Sequence, residues 1–587
     1  MGFHSLKPAL PSKIVCFLQM VFVMCWMSIL ADTDSIHVVY SFCGIASILA
    51  MYDLHRTGAP ESRRFSIPCG LMAAVFSFVV CLANYAVFQQ VRDPVMVSAA
   101  TNKMQNLLNL GFCIIGGFCV AYPILMAFLV KFPLLLSSDE ERKHPGKLFW
   151  FAFGSIVLID LVYLLLDEFP GHVTPDSLDQ IIQGYEGTYI NNHPYWHTYW
   201  IKLVLSVGYG LFGSTNGAVA LFSVLQILLV AVCFAYALVT MYQAGMPKWC
   251  IALAYGIYAF LPYNIAMSIT MWKDVPFAFS CLIFVLSLYR ILKGMNRRAW
   301  IGYVLFALGA MGMCLLRTNG MPSLMLSMLV FVPCLWKKNK PVLAILAIVL
   351  VVCILLTGPV LDALGVVKTD FTEALSIPLQ QFARVIAKGY PLTAEEADLL
   401  GRIFDLEEIP ELYTCWLSDP IKLEVRENDI GYFRDHIGAY GKLWVQMLLK
   451  YPGEFVEAWV EQTKGYWNGG YDYHQYAEMV QENSFGIAKT SGGNIIAKLI
   501  YLYFGMTRHT ILVQPLLSIG LHVWILVVCC FVCWKQKRQE FLLPIPVLCT
   551  ILSLFISTPV FSEFRYAYAV FLLCPVILPI TMYRSKE

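Results

Sequence analysis

Apolar residues in this chain fall in long unbroken runs rather than at the three-and-four spacing of a surface helix. Each run has roughly the twenty residues needed to cross a bilayer. About fourteen are read, at 14–31, 36–53, 66–89, 110–131, 147–167, 217–241, 249–268, 275–293, 299–316, 321–336, 341–361, 511–534, 541–558 and 566–583. A shorter two-faced stretch, 200–213, precedes the sixth and reads as an interfacial helix. Between the eleventh and twelfth runs the pattern changes. Residues 362–496 are polar, hold more than half of the 39 acidic residues, and show helical apolar spacing over 431–450 and 454–465. Thr393-Ala-Glu-Glu396 reads as a capping box opening 394–403, and Pro452-Gly453 as a break between the last two helices. The pattern predicts an all-α polytopic membrane protein. It divides into a transmembrane region over 1–361, an external and mainly helical insertion over 362–496, and C-terminal transmembrane helices over 497–587.

Composition agrees with this class. Of 587 residues 58% are hydrophobic and 14% charged, with a mean hydropathy of +0.65, more apolar surface than a soluble fold of this size buries. A net charge of +2 gives no reason to expect nucleic acid as a partner. The 19 cysteines lie mostly inside apolar runs (Cys16, Cys113, Cys281, Cys529), with Cys415 alone in the insertion, so they read as small hydrophobes rather than a disulfide scaffold. The first run follows Lys7 and Lys13 with no small-residue cleavage site, and reads as a signal anchor.

Lysine and arginine set the expected orientation. Six clusters fall on one side: Arg56/Arg63/Arg64, Arg142/Lys143/Lys147, Arg290/Lys293/Arg297/Arg298, Lys337/Lys338/Lys340, Lys535/Lys537/Arg538 and Arg584/Lys586. By the positive-inside rule that side, with both termini, is cytoplasmic. The opposite, extracytoplasmic side collects the unusual polar groups. It receives the 168–200 loop, where two aspartates, three histidines and seven aromatics crowd together, and Lys273-Asp274, Arg317-Thr-Asn319-Gly320 and Ser562-Glu563-Phe-Arg565-Tyr566. Each has a plain structural alternative: Lys273 snorkelling, Arg565 pairing with Glu563. Four such groups on one face, far apart in sequence, point instead to a site. The aromatic stretch Tyr466-Trp467 to Tyr471, Tyr473 and His474 reads as an interfacial belt, with sugar stacking as the alternative.

Several chemistries find no motif. There is no Walker loop, no His-Glu-x-x-His and no Gly-x-Ser-x-Gly, and the one Cys-x-x-Cys, Cys530 and Cys533, lies inside an apolar run. His193 and His197 are four apart, but Pro194 stands between them and no carboxylate partner is evident. The candidate base is Asp176, a carboxylate suited to taking a proton from an acceptor hydroxyl, a task favoured by a pKa raised through partial desolvation. The alternative is that Asp176 caps a helix over 176–184, behind Pro175. Asp179, three residues on, would share its face and support it, with Asp274 as a further carboxylate. Arg317 and Arg565 are planar, permanently charged and bidentate, which suits phosphate; Lys273 adds a point charge and Glu563 can orient Arg565.

These segments resemble a family. Pro175-Asp176-Ser177-Leu-Asp-Gln180 and His193-Pro194-Tyr-Trp-His197-Thr198 in the first large external loop are similar to motifs of the GT-C class of membrane glycosyltransferases, whose branches include protein mannosyltransferases and lipid A aminoarabinose transferases. Met271-Trp-Lys-Asp274-Val-Pro276 resembles that class's second acidic motif, and Leu316-Arg317-Thr-Asn319-Gly320 and Glu563-Phe-Arg565-Tyr566-Ala567 its arginine-bearing turns. The likeness covers most of 150–320 and the last sixty residues. One departure stands out: the paired Asp-Glu of the best-known branches is here Asp176-Ser177, with the next acid at Asp179, which leaves a divalent metal open.

The resemblance implies a GT-C-like bundle of about 13–14 transmembrane helices in the cell membrane. The implied donor is a sugar on a polyprenyl phosphate and the acceptor a cell-envelope hydroxyl. Asp176 is then the catalytic base, Lys273, Arg317 and Arg565 hold the lipid phosphate, and Gln180, His193, His197, Glu563 and Tyr566 contact loop, acceptor or sugar. Three other readings stay open: a lipid-linked glycan ligase or polymerase, a transporter or flippase, and a scaffold that uses the insertion. The polar groups cluster near one surface rather than at the midplane, which weighs against transport.

Overall fold

The computed structural model describes residues 10–31, 37–57, 62–83, 100–130, 136, 144–295, 298–469, 480–510, 513–557 and 560–583. It is 78% helical, with no strand among the described residues, so the chain is an all-α membrane protein. Seven helices are long and apolar enough to cross a bilayer: Leu108–Leu129, Pro145–Leu166, Thr215–Gln243, Asp274–Leu292, Ala299–Leu316, Lys340–Ala363 and Phe564–Met582. The other seven expected spans fall on apolar helices of 10–17 residues. One, 249–268, is broken. The Lys248–Phe260 helix stops where Pro262 disfavours helical backbone at Leu261 (ψ 127°), and Pro262–Met267 starts anew. A fifteenth apolar helix, Ile495–His509, was not among the expected spans; Lys498 and Arg508 interrupt its pattern, and Asn494 caps it by accepting from the Ala497 N–H at 2.9 Å. The interfacial stretch is longer than expected, Tyr195–Phe212, and turns Trp200, Leu203, Val207 and Leu211 outward.

Burial ranks the helices. Phe564–Met582 buries 78% of its residues and Asp274–Leu292 72%, so these two form the centre, whereas Pro145–Leu166 and Lys340–Ala363, at 28%, lie at the periphery. Two of the six basic clusters meet at one end of this centre. Glu540 takes Lys293 at 2.7 Å and Arg538 at 2.8 Å. Asp274 stands at the opposite end of the helix that carries Arg290. Lys7, Arg142, Lys143, Arg297, Arg584 and Lys586 lie outside the described residues, as do Tyr471, Tyr473 and His474, and the side chains of Lys13, Arg56, Arg63 and Arg64. The 19 cysteines form no disulfide.

The insertion has its own core, drawn from residues 379–455 and including Leu379, Phe382, Ile421, Phe433, Met447 and Phe455. Both halves of the Thr393/Glu396 capping box are present, though the helix ends earlier than expected, at Leu400. The expected 431–450 helix is two, Ile430–Asp435 and Ile437–Lys450, and Pro452 opens the next as its first residue, the one helical position where a missing N–H costs nothing. The end of the insertion leaves its own core. Val460 and Trp467 bury against Ala83 of the Ser62–Ala83 helix, and Tyr466 donates to Val560 O at 2.7 Å. Residues 480–494 then return along the 166–173 loop: Gln481 N–H donates to Val173 O and Thr490 N–H to Phe169 O, and Lys489 pairs with Glu168 at 2.5 Å.

Candidate functional site

Three segments meet at the head of the two central helices. The first is the loop after Leu166. His172 lies beside Thr270 through paired backbone bonds, His172 N–H to Ile269 O and Met271 N–H to His172 O, with its ring Nδ1 at 2.9 Å from the Thr270 hydroxyl. The second segment, 268–273, is non-helical although it sits among membrane helices, where free carbonyls are costly. Gln226 answers this: its buried amide nitrogen lies 2.8–3.2 Å from the carbonyls of Met267, Ser268 and Thr270, which share its two N–H donors. That fixes the strap delivering Trp272, Lys273 and Asp274. The third is the Ser562-Glu563 turn, whose Glu563 N–H donates to the Tyr466 hydroxyl at 3.0 Å.

The 176–184 helix runs Pro175–Glu186, and its cap is Thr174, not Asp176. Thr174 and Ser177 form a reciprocal capping box, Ser177 Oγ also donates to Met271 O at 2.8 Å, and the Trp272 indole N–H donates to Thr174 Oγ1 at 2.5 Å. The capping alternative for Asp176 therefore falls away. With Pro175 at the first helical position, Asp176 sits at the second, where the helix dipole favours a carboxylate.

Asp176 points to the strap and to the last helix. Its Oδ2 takes a hydrogen bond from Arg565 Nη1 at 2.6 Å and lies 3.9 Å from Lys273 Nζ. Burial pushes its pKa up, but Arg565, Lys273 and His193 outweigh burial and the net shift is downward. This corrects the expectation of a raised value: the resting base is held ionised by cations. Lys273 donates to His193 Nδ1 at 3.0 Å and to Asn192 O at 3.4 Å, and burial lowers its own pKa. Burial and the Lys273 charge bring His193 down to about 4, so it is neutral at pH 7, accepting at Nδ1.

Arg317 pairs with Asp274 at 2.7 Å, both side chains buried. The contact is off-line for a hydrogen bond, and both Asp274 oxygens keep their acceptor capacity unused among the described residues. Tyr566 lies between the two arginines, with the Arg317 guanidinium 4.6 Å and the Arg565 guanidinium 5.2 Å from its ring centroid. Trp272 covers Arg565 at 5.1 Å, and Glu563 stands 3.7 Å from Arg565 Nε, its pKa raised by burial. The site thus brings together Asp176, Lys273, Asp274, His193, Arg317, Glu563, Arg565 and Tyr566.

Three expected members stand apart. Gln180 and His197 are buried against each other, amide to ring Nδ1 at 3.0 Å, with Thr198 Oγ1 at 2.9 Å; they lock the Pro175–Glu186 helix onto Tyr195–Phe212 rather than reaching the charges. Burial takes His197 down to about 3. The two histidines do not share a helical face, because the helix begins at Tyr195, between them. Asp179 is at the rim, 63% exposed, 3.7 Å from His193 Nε2. Burial and the Asp176 charge raise its pKa. A divalent ion does not fit these donors. No group of three or more metal-ligating side chains forms among the described residues, and Asp176, Asp274 and Glu563 each face a cation of the chain.

Thr174, Trp272, Gln226 and Tyr466 were not foreseen as part of the site. Tyr466 lies in the stretch the sequence marks as aromatic and Trp272 in the segment that resembles the second acidic motif; nothing marks Thr174 as the cap except its place before Pro175. Thr174→Val keeps shape but removes the cap acceptor and the partner of the buried indole N–H. The expected cost is ~1 kcal/mol for the cap plus ~1–3 kcal/mol for the orphaned donor. Thermal unfolding of Thr174→Val beside Thr174→Ser checks this; equal melting would remove Thr174 from its structural role.

A family model described as a family of unknown function, DUF6020, matches residues 185–587, more than half of the chain. The matched region holds His193, Lys273, Asp274, Arg317, Glu563 and Arg565, and begins after Asp176 and Asp179. No curated protein and no solved structure matches the chain.

Proposed function

The chain belongs to the DUF6020 family, and we propose that it is a GT-C-type membrane glycosyltransferase, moving a sugar from a polyprenyl-phosphate donor to an extracytoplasmic acceptor hydroxyl of the cell envelope. In this reading it is a multi-pass protein of the cell membrane, with cytoplasmic termini and the charge cluster on the outer face. The observation that carries the proposal is the Asp176–Arg565 contact of 2.6 Å. It joins the carboxylate proposed as base to a cation fit to hold phosphate, across segments far apart in the chain.

Three carboxylates and three cations balance in the resting site, so a donor phosphate must compete for the cations. Its oxygens take over Arg565 Nη1, with Arg317 and Lys273 adding charge in a prearranged clamp. Asp176 Oδ2 is released, and with the Arg565 charge answered by phosphate, the influence that lowers its pKa weakens. The acceptor O–H then gives its proton to Asp176 and the acceptor oxygen forms a bond to the anomeric carbon. The bond from that carbon to the phosphate oxygen breaks, its electron pair leaving on the lipid phosphate, with inversion. No metal enters any step.

The ligase or polymerase reading keeps the same cations and makes neutral His193 the base. His193→Gln separates the two: it leaves transfer largely intact under the first and abolishes it under the second. The direct test supplies purified protein in lipid with a polyprenyl-phosphate sugar and follows release of free polyprenyl phosphate. Release with sugar appearing on an acceptor is expected. Donor crossing a sealed vesicle intact would make the chain a transporter.

A further inference from the structure

A second feature lies away from the charges. An apolar groove of about 710 Å³ runs between the Ser62–Ala83 helix on one side and the Ile519–Lys535 and Ile545–Leu554 helices on the other. From Val523 to Lys535 it follows thirteen residues of helix, a rise of about 18 Å at ~1.5 Å per residue. Trp459 and Trp467, from the end of the insertion, line it with Phe555 at the Val523 end. Three of its four tryptophans already use their indole N–H groups. Trp459 N–H donates to Phe555 O at 2.7 Å, Trp467 N–H to Thr463 Oγ1 at 3.1 Å, and Trp524 N–H to Trp467 O at 2.9 Å. The walls therefore present ring faces and aliphatic groups. Among the lining residues only Lys535 carries a charge, its Nζ 4.5 Å from the Trp534 ring centroid at the other end of the groove.

We propose that this groove binds one acyl chain of an anionic glycerophospholipid, with the headgroup on Lys535. The chemistry selects that occupant. Walls so poor in polar groups reject a glycan or headgroup along most of their length, and a length of about 18 Å takes a single hydrocarbon chain. A cation at one end favours a negative headgroup there, while a zwitterionic lipid gains little. The Lys535 end carries one of the basic clusters, where the positive-inside rule expects the leaflet richer in anionic lipid. The bound chain would fill the seam between the Ser62–Ala83 helix, which lies outside the 185–587 family match, and the bundle within it. None of this depends on sugar transfer.

The test extracts the full-length protein in mild detergent, exchanges it into nanodiscs of phosphatidylglycerol or phosphatidylcholine, and reads retained lipid by native mass spectrometry and melting temperature. Phosphatidylglycerol should be retained and should raise the melting temperature, because a ligand bound only by the folded state stabilises it. Lys535→Gln should cut the preference about five-fold, one lysine's ~1 kcal/mol at an anionic surface. Val527→Trp and Leu552→Trp, from the two helices of one wall, should each displace the lipid while leaving Lys535 in place. Equal retention of the two lipids, retention unchanged in both tryptophan variants, or a polyprenyl phosphate held in place of phospholipid would overturn the proposal.

Discussion

Under the proposed mechanism Asp176→Asn is expected to slow sugar transfer by roughly a hundred- to ten-thousand-fold, the usual size of a lost general base, and at the same time to bind the donor more tightly. The two halves come from one geometry. The amide cannot take the acceptor proton, so the chemical step suffers. It also cannot hold Arg565 with a full negative charge, so the phosphate meets a cation no longer occupied by a competing carboxylate. The helix is spared in either case, because Thr174 and Ser177 supply its cap. Turnover with a synthetic lipid-phosphate sugar, set beside direct binding of a prenyl phosphate, reads both effects. Near-normal transfer would end the mechanism; weakened binding would show that Asp176 supports the phosphate position rather than competing for it.

Arg565 is the second position with a large expected effect. Arg565→Ala should lose donor affinity by about 2–5 kcal/mol, the range for truncating one member of a buried charge pair. It also leaves Asp176 with Lys273 at 3.9 Å as its nearest remaining cation. Arg565→Lys keeps the charge but not the fork, nor the flat guanidinium lying between Trp272 and Tyr566, so it should fall between wild type and Ala. Donor titration of both variants, with unfolding measured alongside, separates binding from folding. If Arg565→Ala binds donor normally yet melts early, Arg565 serves only to hold Asp176 and Glu563 in place.

The sequence makes some of this plain and hides the rest for physical reasons. Unbroken apolar runs survive any tertiary context, so seven spans are readable from composition, and charged turns such as Lys273-Asp274 and Arg317 stand out because bilayer-depth charge is costly. The Thr393/Glu396 box and the Pro452 break are local chemistry and appear as expected. What is not local is not readable. The downward shift of Asp176 depends on Arg565, 389 residues away. The burial of Gln180 against His197 depends on how two short helices cross. The cap moves from Asp176 to Thr174 because Pro175 takes the first helical position. Ile495–His509 escapes notice because Lys498 and Arg508 break its apolar pattern while Phe504 still packs 5.4 Å from Tyr163, ring centroid to ring centroid.

The junction between insertion and bundle bears on how freely such a chain can change over time. Residues 371–455 close a core of their own whose interior can be repacked without reaching the charge cluster, but the edge of that lobe is tied to the chain just before Glu563: Phe561 N–H donates to Trp416 O at 2.8 Å and Leu417 bridges Val560. The stretch just beyond has no such liberty. A side chain at Gly465 would come within 2.9 Å of Ser562 backbone atoms, in a residue already at φ 52°, and Tyr466 holds the Glu563 turn by its hydroxyl. Drift inside the core of that lobe is therefore expected to spare the charge cluster, while a single methyl at Gly465 is expected to displace the turn that carries Arg565.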